Sequence, residues 1–528
     1  MNRSMICAAV VTSLALAACS REEAAQKPYA VEEVSLAQLS TDLAAKTTTS
    51  VAATQAYMDR IKMYDDALNA IIALQPDALE QAAASDKRRA DGKALGPLDG
   101  VPVLVKDNID AVGTPTTTGS FALTENLPAQ DSEAVRRLRA AGAVILGKTN
   151  LSQFAGYRTT DTFSGSSVGG TAHNPYDLAK SPAGSSSGSG IAMAVSFAAG
   201  SLGSDTGGSI TGPSNVNSVV GLRPTTGLIS RRGVIPNTSY QDTVGPMTRT
   251  VTDAAMLLSV LAGSDPGDAR SAEADSRKAD YVPGLRPDAL KGVRIGVLRG
   301  MRGASEAVTP VFDAALEVLK AQGAELVELP PGAGLEDVNP EALTAEAWNF
   351  KNDMANYLAS APPAVKVRNV EDLLAFHKTD PRESKIGVQY WEESAAAMGG
   401  FENPKYIELM DYMKRETGAE GYAGLFAQHN LNALVSAAGG PADVIPADGT
   451  SRPGQRDKVA PSLTWHAAVG GYPLLTVPMG QVEGMPVGLS FVGPQWTEAN
   501  LLAYGYAYEQ AGYKRVPPEA YKKAVAAK

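Results

Sequence analysis

Lys106 is the first residue whose position suggests chemistry. It directly follows residues 101–105, a short apolar run bounded by Pro and Gly that predicts a buried strand. Burial disfavours the charged form of a lysine, and the neutral amine can act as a base. Because free lysine has a pKa of about 10.4, a mostly neutral amine at pH 7 needs a decrease of roughly three units. Position alone favours the alternative, a lysine whose stem crosses apolar surface while its amine reaches water.

Ser209 lies in a glycine-rich run, "SDTGGSI", at residues 204–210. The two preceding glycines let backbone N–H groups approach a substrate oxygen closely. Consecutive N–H groups of this kind can hold the negative charge that develops on a carbonyl oxygen under attack. The N–H groups that would do so belong to Thr206, Gly207, Gly208 and Ser209. Taken alone, the run is equally consistent with a tight turn.

A second run of small residues, "SPAGSSSGSG" at 181–190, precedes Ser209. Its composition is typical of a flexible linker. Residues 184–188 also match GxSxG, the nucleophile elbow of α/β-hydrolases, which would make Ser186 the nucleophile. That elbow needs a strand before the serine and a helix after it, whereas residues 172–184 are polar and rich in turn formers. The sequence therefore disfavours the elbow.

Histidine bases and metal ions have little support. The chain has four histidines, none in a pattern that marks a catalytic base, and a surface or packing role is favoured for each. These are His173, His377, His429 and His466. No HExxH motif occurs, and both cysteines lie within the first 19 residues. We therefore expect neither a metal nor a cofactor.

The bulk composition is that of a globular protein and points away from nucleic acids. The 528 residues are 44% hydrophobic and 20% charged, with a net charge of −10. Binding to a phosphate backbone needs clustered Lys and Arg. An acidic surface of this kind is expected to aid solubility.

The N-terminus resembles an export signal. Arg3 precedes an apolar run at residues 5–16, which is too short to span a bilayer and fits a signal peptide. The run ends in "LAAC", which resembles the bacterial lipobox, where cleavage precedes Cys19 and its thiol is lipidated. An ordinary signal peptide cut near Ala18 is the alternative. The chain after Cys19 contains no cysteine, so the domain itself has none available for a disulfide.

These features predict three segments: a lipoprotein signal peptide (1–18), a lipidated Cys19 with a polar tether (19–34), and a single domain (35–528). The protein is expected to be exported and anchored by lipid to a bacterial membrane, facing the periplasm. Ser20 after the cysteine favours the outer membrane where two membranes exist.

Helical and strand patterns alternate downstream of residue 35. Ser35 and Thr49 or Ser50 are suitable N-caps for two helices, and residues 132–150 predict a helix, a turn at Gly142 and a strand. Such alternation predicts an α/β fold with a largely parallel or mixed sheet under helices, in a single large domain. Residues 341–456 are mostly helical and, with residues 157–162, are expected to form pocket walls.

The order of four stretches is specific. A strand end, "PVLVKDN", is followed by "PAGSSSGS", "GSDTGGSI" and "GLRPTTGLISRRGVIP". In this order they closely resemble the amidase signature family, and the resemblance extends from about residue 35 to about residue 512. It implies the amidase signature fold, a single α/β domain with a central mixed β-sheet covered by helices on both sides, and hydrolysis of a carboxamide.

The resemblance also implies roles within a Ser–Ser–Lys triad. Lys106 corresponds to the base and Ser209 to the nucleophile. Ser185 corresponds to the bridging serine, whose preceding peptide bond is cis in the family. The N–H groups of residues 206–209 correspond to the oxyanion hole. Three further residues are expected to steady or orient the site, although the two aspartates could equally be structural: Ser186, Asp205 and Asp242.

The chain departs from the family pattern near these residues. Ala183 and Ser187 replace glycines, Thr211 stands where arginine is common, and Asn217 and Ser218 stand where a glycine is common. None of these changes removes a triad residue. They leave the local charge and the loop shape open.

The region from "GLISRRGVIP" to "TVGPMTR" looks most like peptide amidases, which release ammonia from C-terminal peptide amides. The expected substrate is a small-molecule or peptide amide, with aliphatic, aryl and cyclic amides still open. Two other classes are the glutamine-hydrolysing subunit of a tRNA-dependent amidotransferase and a non-catalytic lipoprotein of the same fold. The export signal argues against the first and the intact triad against the second. The sequence predicts no oligomeric state.

Overall fold

The structure is a computed structural model that describes residues 29–157, 164–301, 305–384, 386, 390–445 and 462–527. The predicted signal peptide, Cys19 and the tether up to residue 28 lie outside the described residues. So do residues 158–162 and 446–456 of the predicted pocket walls.

Strands occur throughout the described chain. They are β1 (Ile71–Leu74), β2 (Pro102–Lys106), β3 (Val144–Thr149), β4 (Gly165–Ser166), β5 (Gly170–Thr171), β6 (Gly200–Asp205), β7 (Val220–Arg223), β8 (Thr243–Thr248), β9 (Arg294–Val297), β10 (Glu325–Glu328), β11 (Ala433–Ala437), β12 (Leu474–Val482) and β13 (Met485–Val492).

Helices fill most of the intervals between the strands. They are α1 (Leu36–Ala44), α2 (Ser50–Tyr64), α3 (Ala78–Ala90), α4 (Glu133–Ala140), α5 (Ser187–Ala194), α6 (Thr211–Asn217), α7 (Val251–Leu261), α8 (Ala274–Arg277), α9 (Thr309–Ala321), α10 (Asn339–Ala359), α11 (Val370–Thr379), α12 (Tyr390–Ala396), α13 (Pro404–Thr417), α14 (Ala423–Gln428), α15 (Leu463–Val469), α16 (Glu498–Ala511) and α17 (Ala520–Ala526).

Eleven strands form one mixed sheet in the order β1-β3-β2-β6-β8-β7-β12-β13-β11-β9-β10. β2 is parallel to both of its neighbours, β3 and β6, whereas β6, β8 and β7 are successively antiparallel. The carboxyl ends of β2, β6 and β7 therefore lie at the same edge of the sheet, where α/β proteins commonly bind ligands. The predicted fold class, a mixed sheet flanked by helices in one domain, is confirmed.

Local sequence signals account for the first elements. The side chains of Ser35 and Thr49 accept hydrogen bonds from the N–H groups of Gln38 (3.0 Å) and Ala52 (3.1 Å), which caps α1 and α2 as predicted. Gly142 adopts the left-handed φ of 83° that the turn between α4 and β3 requires.

Residues 29–34 differ from the predicted tether, because they pack on the domain. Val31 is buried, Glu32 pairs with Arg60, and Glu33 forms an ion pair with Arg515. Tyr29, Val31 and Val34 pack on the main hydrophobic core, which favours this docking and makes residues 29–34 part of the domain. No helix within the described ranges is both long and apolar enough to cross a membrane.

Candidate active site

Lys106 is the last residue of β2 and is fully buried. Its Nζ donates to Ser185 Oγ at 2.7 Å and to Ser204 Oγ at 2.8 Å, with Ser204 O at 3.3 Å. Burial lowers the pKa of Lys106 to about 7, against the opposing charges of Asp205 and Asp242. Near neutral pH, a large fraction of these amines is therefore neutral and able to accept a proton from Ser185.

Ser185 lies in the loop that enters α5, and the peptide bond between Gly184 and Ser185 is cis, as the resemblance implies. Ser152 N donates to Ser185 O at 3.0 Å. A Cβ at Gly184 would lie only 2.1 Å from Ser152 Oγ, so glycine allows this close approach. Residues 172–184 form isolated bridges and no strand, which agrees with the rejection of the nucleophile elbow.

Ser186 ties three parts of the site together. Its Oγ donates a hydrogen bond to Ser204 O at 3.0 Å and accepts one from Ser204 N at 3.3 Å. Its backbone N–H donates to Ser209 O at 3.1 Å. The serine-rich loop, the end of β6 and the glycine-rich run are thus held against one another. This placement suits the steadying role expected of Ser186.

Ser209 lies between β6 and α6 and is half-buried. Its hydroxyl makes no hydrogen bond to any residue that the structure describes, so it is free to turn towards Ser185 or towards a bound carbonyl. Catalytic hydrogen bonds often tighten only when a substrate is present. The structure therefore brings Lys106 and Ser185 into direct contact and places Ser209 beside them through the Ser186 bond.

Asp205 fixes the backbone of the glycine-rich run through hydrogen bonds. Its buried carboxylate accepts hydrogen bonds from the N–H groups of Gly208 (2.9 Å) and Ile210 (2.7 Å). Arg223, the last residue of β7, forms a buried ion pair with it at 2.8 Å. The Arg223 guanidinium also donates to Gln241 O at 2.5 Å. The same cation therefore connects the glycine-rich run to the segment that contains Gln241.

The backbone N–H groups of Thr206, Gly207 and Ser209 have no acceptor within the described ranges, as an oxyanion hole requires. Gly208 differs from expectation: its N–H donates to Asp205, so the structure offers three free donors rather than four. The Gly208 N–H is used instead to stabilise the local turn through its hydrogen bond to Asp205. We therefore expect the other three N–H groups to hold the oxyanion.

α15 packs against the glycine-rich run at Gly207. A Cβ at Gly207 would lie 2.6 Å from the Trp465 ring, so only glycine fits beneath it. Thr464 Oγ1 donates to Gly207 O at 3.0 Å. Sequence reasoning missed both residues, because they are more than 250 positions from the run and no local pattern marks them.

Asp242 is buried beside Thr206. Its carboxylate accepts hydrogen bonds from Thr206 Oγ1 at 2.6 Å and from the N–H groups of Asn237 (2.8 Å) and Thr238 (2.9 Å). Burial raises its pKa to about 6, although these hydrogen bonds oppose the shift. Asp242 thus fixes the start of the oxyanion run and adds negative charge near Lys106.

Ser204 and Asn108 belong to the site and were missed by sequence reasoning. Ser204 Oγ accepts from Lys106 Nζ and from Asn108 Nδ2 at 3.0 Å. Two donors to one hydroxyl fix the lysine amine relative to the sheet edge. Ser204 precedes Asp205 in the same run, so its position at a strand end was the available signal.

None of the four histidines hydrogen-bonds to the triad. His377 forms hydrogen bonds with two buried residues. Its Nδ1 lies 2.5 Å from a Glu392 carboxylate oxygen, and its Nε2 lies 3.0 Å from Ser120 Oγ. This order imitates an acid–histidine–serine triad. However, Ser120 is fully buried and its hydroxyl also lies 2.8 Å from Glu383, so no substrate reaches it. A packing role fits His377. Within the described ranges, no group of three acidic, His or Cys side chains is placed to hold a metal ion.

Comparison with known proteins agrees with this geometry. The sequence pattern of the Amidase family matches residues 52–502. The chain belongs to the amidase signature family, and it is an amide-hydrolysing enzyme.

Three relatives illustrate the range of the family. The solved structure of a native peptide amidase from Stenotrophomonas maltophilia is 40% identical, with a TM-score of 0.85, covering 92% of this chain and 98% of that one. A probable amidase of Arabidopsis thaliana is 33% identical, covering 93% of this chain and 92% of its own. One subunit of the glutamyl-tRNA(Gln) amidotransferase of Thermosynechococcus vestitus is 35% identical, covering 90% of this chain and 97% of its own.

Proposed function

We propose that this amidase hydrolyses carboxamides through an acyl-enzyme on Ser209. The observation that carries the proposal is the 2.7 Å hydrogen bond from buried Lys106 Nζ to Ser185 Oγ. A lysine whose pKa is about 7 can take a proton at neutral pH, and the serine it contacts can pass one on. Three free N–H groups beside Ser209 supply the complementary positive charge.

The proposed reaction moves one proton along the triad. Ser209 Oγ attacks the amide carbon and gives its proton to Ser185 Oγ, while Ser185 gives its own proton to neutral Lys106. The N–H groups of Thr206, Gly207 and Ser209 hold the carbonyl oxygen as it becomes negative. The C–N bond then breaks, and the proton returns through Ser185 to the leaving nitrogen. Water attacks the acyl-enzyme with the same relay, which releases the acid and restores Ser209.

C-terminal peptide amides are the proposed substrate class. The 40% identical peptide amidase supports this choice. Position 211 also supports it: Thr211 Oγ1 donates to Gly208 O at 3.2 Å, so the start of α6 offers no cation to a carboxylate near the reacting carbonyl. Trp465 lies beside Gly207, and Trp465 and Tyr240 are half-buried against the same hydrophobic cluster, which suits an apolar side chain of a substrate.

Glutamine hydrolysis is a second candidate, because one subunit of an amidotransferase is 35% identical over most of both chains. Free glutamine carries a carboxylate, which the threonine at position 211 does not complement. An assay that includes glutamine therefore separates the two proposals.

The experiment is to follow ammonia release and product mass on peptide amides, free peptides, glutamine, and simple aliphatic, aryl and cyclic amides. Ser209→Ala is the control. Ammonia from peptide amides alone, lost in the control, supports the proposal. Turnover of another amide keeps the reaction and replaces the substrate. Activity that survives in Ser209→Ala overturns the assignment of the nucleophile.

We further propose that the protein is exported and anchored to a bacterial membrane through lipidated Cys19, facing the periplasm. The support is the "LAAC" sequence after an apolar run at residues 5–16. Metabolic labelling with a palmitate analogue tests this. Label lost in Cys19→Ala is expected, whereas equal label in both proteins would contradict it.

A further inference from the structure

We propose that Glu383 is a positioning residue for the catalytic triad, although it lies in the helical region and touches none of the three residues. The inference rests on the proposed amidase reaction. Glu383 is fully buried in the short turn after α11. Its carboxylate binds two loops, one that follows Lys106 along the chain and one that holds Ser185.

The first loop is bound through Glu383 Oε1. This oxygen accepts hydrogen bonds from Ser120 Oγ and Phe121 N, both at 2.8 Å. The same loop returns to the residue after Lys106, because Thr118 N donates to Asp107 O at 3.0 Å and Gly119 N to Asp107 Oδ2 at 3.4 Å. Oε1 therefore holds the segment packed against the end of β2.

The second loop is bound through Glu383 Oε2. This oxygen accepts hydrogen bonds from Gln153 Nε2 at 2.9 Å and Ser167 Oγ at 2.7 Å. The residue before Gln153 is Ser152, whose N–H donates to Ser185 O at 3.0 Å. Oε2 therefore holds the segment that fixes the backbone of the bridging serine.

A glutamine at position 383 cannot reproduce this pattern. It would present an NH₂ group at one of the two oxygen sites, where one donor cannot become an acceptor: the Phe121 N–H at the first site or the Gln153 NH₂ at the second. Rotation of the Gln153 amide does not help, because Gln153 Oε1 already accepts a hydrogen bond from the backbone N–H of Ser167 at 3.1 Å. We therefore expect Glu383→Gln to release the Ser152 segment and shift Ser185.

Exchanging the two side chains should restore the pattern. In the double variant Glu383→Gln/Gln153→Glu, the amide oxygen at position 383 would accept from Ser120 and Phe121, and the amide NH₂ would donate to the carboxylate at position 153. That carboxylate would still accept from Ser167. The charge moves from position 383 to position 153, while each of the donors named above regains an acceptor. A variant that is merely less stable would not recover activity in this way.

The test compares kcat and KM for the best amide substrate in wild type, Glu383→Gln and the double variant. Misplacing a catalytic group by about 1 Å can cost roughly a hundredfold, so we expect kcat to fall between about 10- and 100-fold with KM within about threefold. The double variant should recover most of this loss. The matched control is Asp380→Asn, which makes the same acid-to-amide change at a half-buried residue of the same turn. This variant should retain wild-type kcat.

Hydrogen exchange gives a readout that does not depend on activity. Faster exchange of the amides at 152–157 is expected in Glu383→Gln and protection again in the double variant. Unchanged kcat and exchange, or a lower melting temperature with unchanged kcat, would overturn the inference. If wild type hydrolyses no amide, the proposed function fails while the exchange result still decides this point. If Glu383→Gln does not fold, Ser167→Ala removes one donor and should show a smaller loss of the same kind.

Discussion

Replacing Lys106 with methionine should stabilise the protein while abolishing amide hydrolysis. In the folded chain the pKa of Lys106 is about 7, whereas in the unfolded chain it is about 10.4, a difference that costs roughly 4 kcal/mol of folding free energy at pH 7. Methionine has a similar length and needs no desolvation of a charge. Lost hydrogen bonds to Ser185 and Ser204 cost about 1 kcal/mol each. The expected net stabilisation is therefore about 2 kcal/mol at pH 7.

The pH dependence of this gain is the sharper part of the prediction. Below pH 7, both the folded and the unfolded chain hold the proton on Lys106, and the penalty is fully present. Between pH 7 and about 10.4, the unfolded chain alone holds it, so wild-type stability rises by about 1.4 kcal/mol per pH unit. The stability advantage of Lys106→Met over wild type should therefore stay constant below pH 7 and fall at this rate above it. It should reach zero at about pH 8.5 and reverse at higher pH.

Urea unfolding at pH 6 to 10 measures this gap. Lys148→Met is the matched control, because Lys148 is equally buried on the neighbouring strand β3 but pairs with Asp107 at 3.3 Å. Removing Lys148 leaves a buried carboxylate unpaired, which costs about 3–5 kcal/mol and has the opposite sign. A Lys106→Met protein that is less stable than wild type, by an amount independent of pH, would refute the reasoning, because Lys106 would then be charged in the folded state.

Further predictions concern the rate. For a peptide amide, kcat/KM should rise about tenfold per pH unit below pH 7 and level off above it, because neutral Lys106 is the base; a flat profile from pH 5 to 8 would contradict this. Asp242→Asn should move the rising part of this pH profile to lower pH, because the Asp242 carboxylate raises the pKa of Lys106. Measuring kcat/KM of the variant over the same pH range detects the shift. Gly207→Ala should lower kcat about a hundredfold, because its Cβ would displace the oxyanion donors or Trp465. In the same assay Gly212→Ala, whose Cβ would meet nothing nearer than 3.7 Å, should retain activity; equal losses would count against the oxyanion assignment.

Local patterns were enough to predict the framework of the site. The apolar run before Lys106 predicted a buried strand, and the parallel arrangement of β2 and β6 brings the ends of both strands to one edge. Ser35 and Thr49 predicted two helix starts because an N-cap depends on neighbours within one turn. These features require no knowledge of distant contacts.

The parts that could not be predicted depend on approach between distant segments. Trp465 covers Gly207 and Glu383 joins two loops, in each case across more than 200 residues of chain. The use of the Gly208 N–H by Asp205 was also hidden, since both a free and an engaged amide are compatible with the same glycine run. Residues 29–34 show a similar limit, because Tyr29, Val31 and Val34 dock on the core a segment that was predicted to be part of a tether.

The measurement that tests the central claim most directly is mass spectrometry of the protein quenched with acid during turnover of a peptide amide. We predict a mass increase equal to the acyl group, located on Ser209, in the wild-type protein and its loss in Ser209→Ala. Ammonia release accompanied by an adduct on another residue, or continued turnover in Ser209→Ala, would contradict the account.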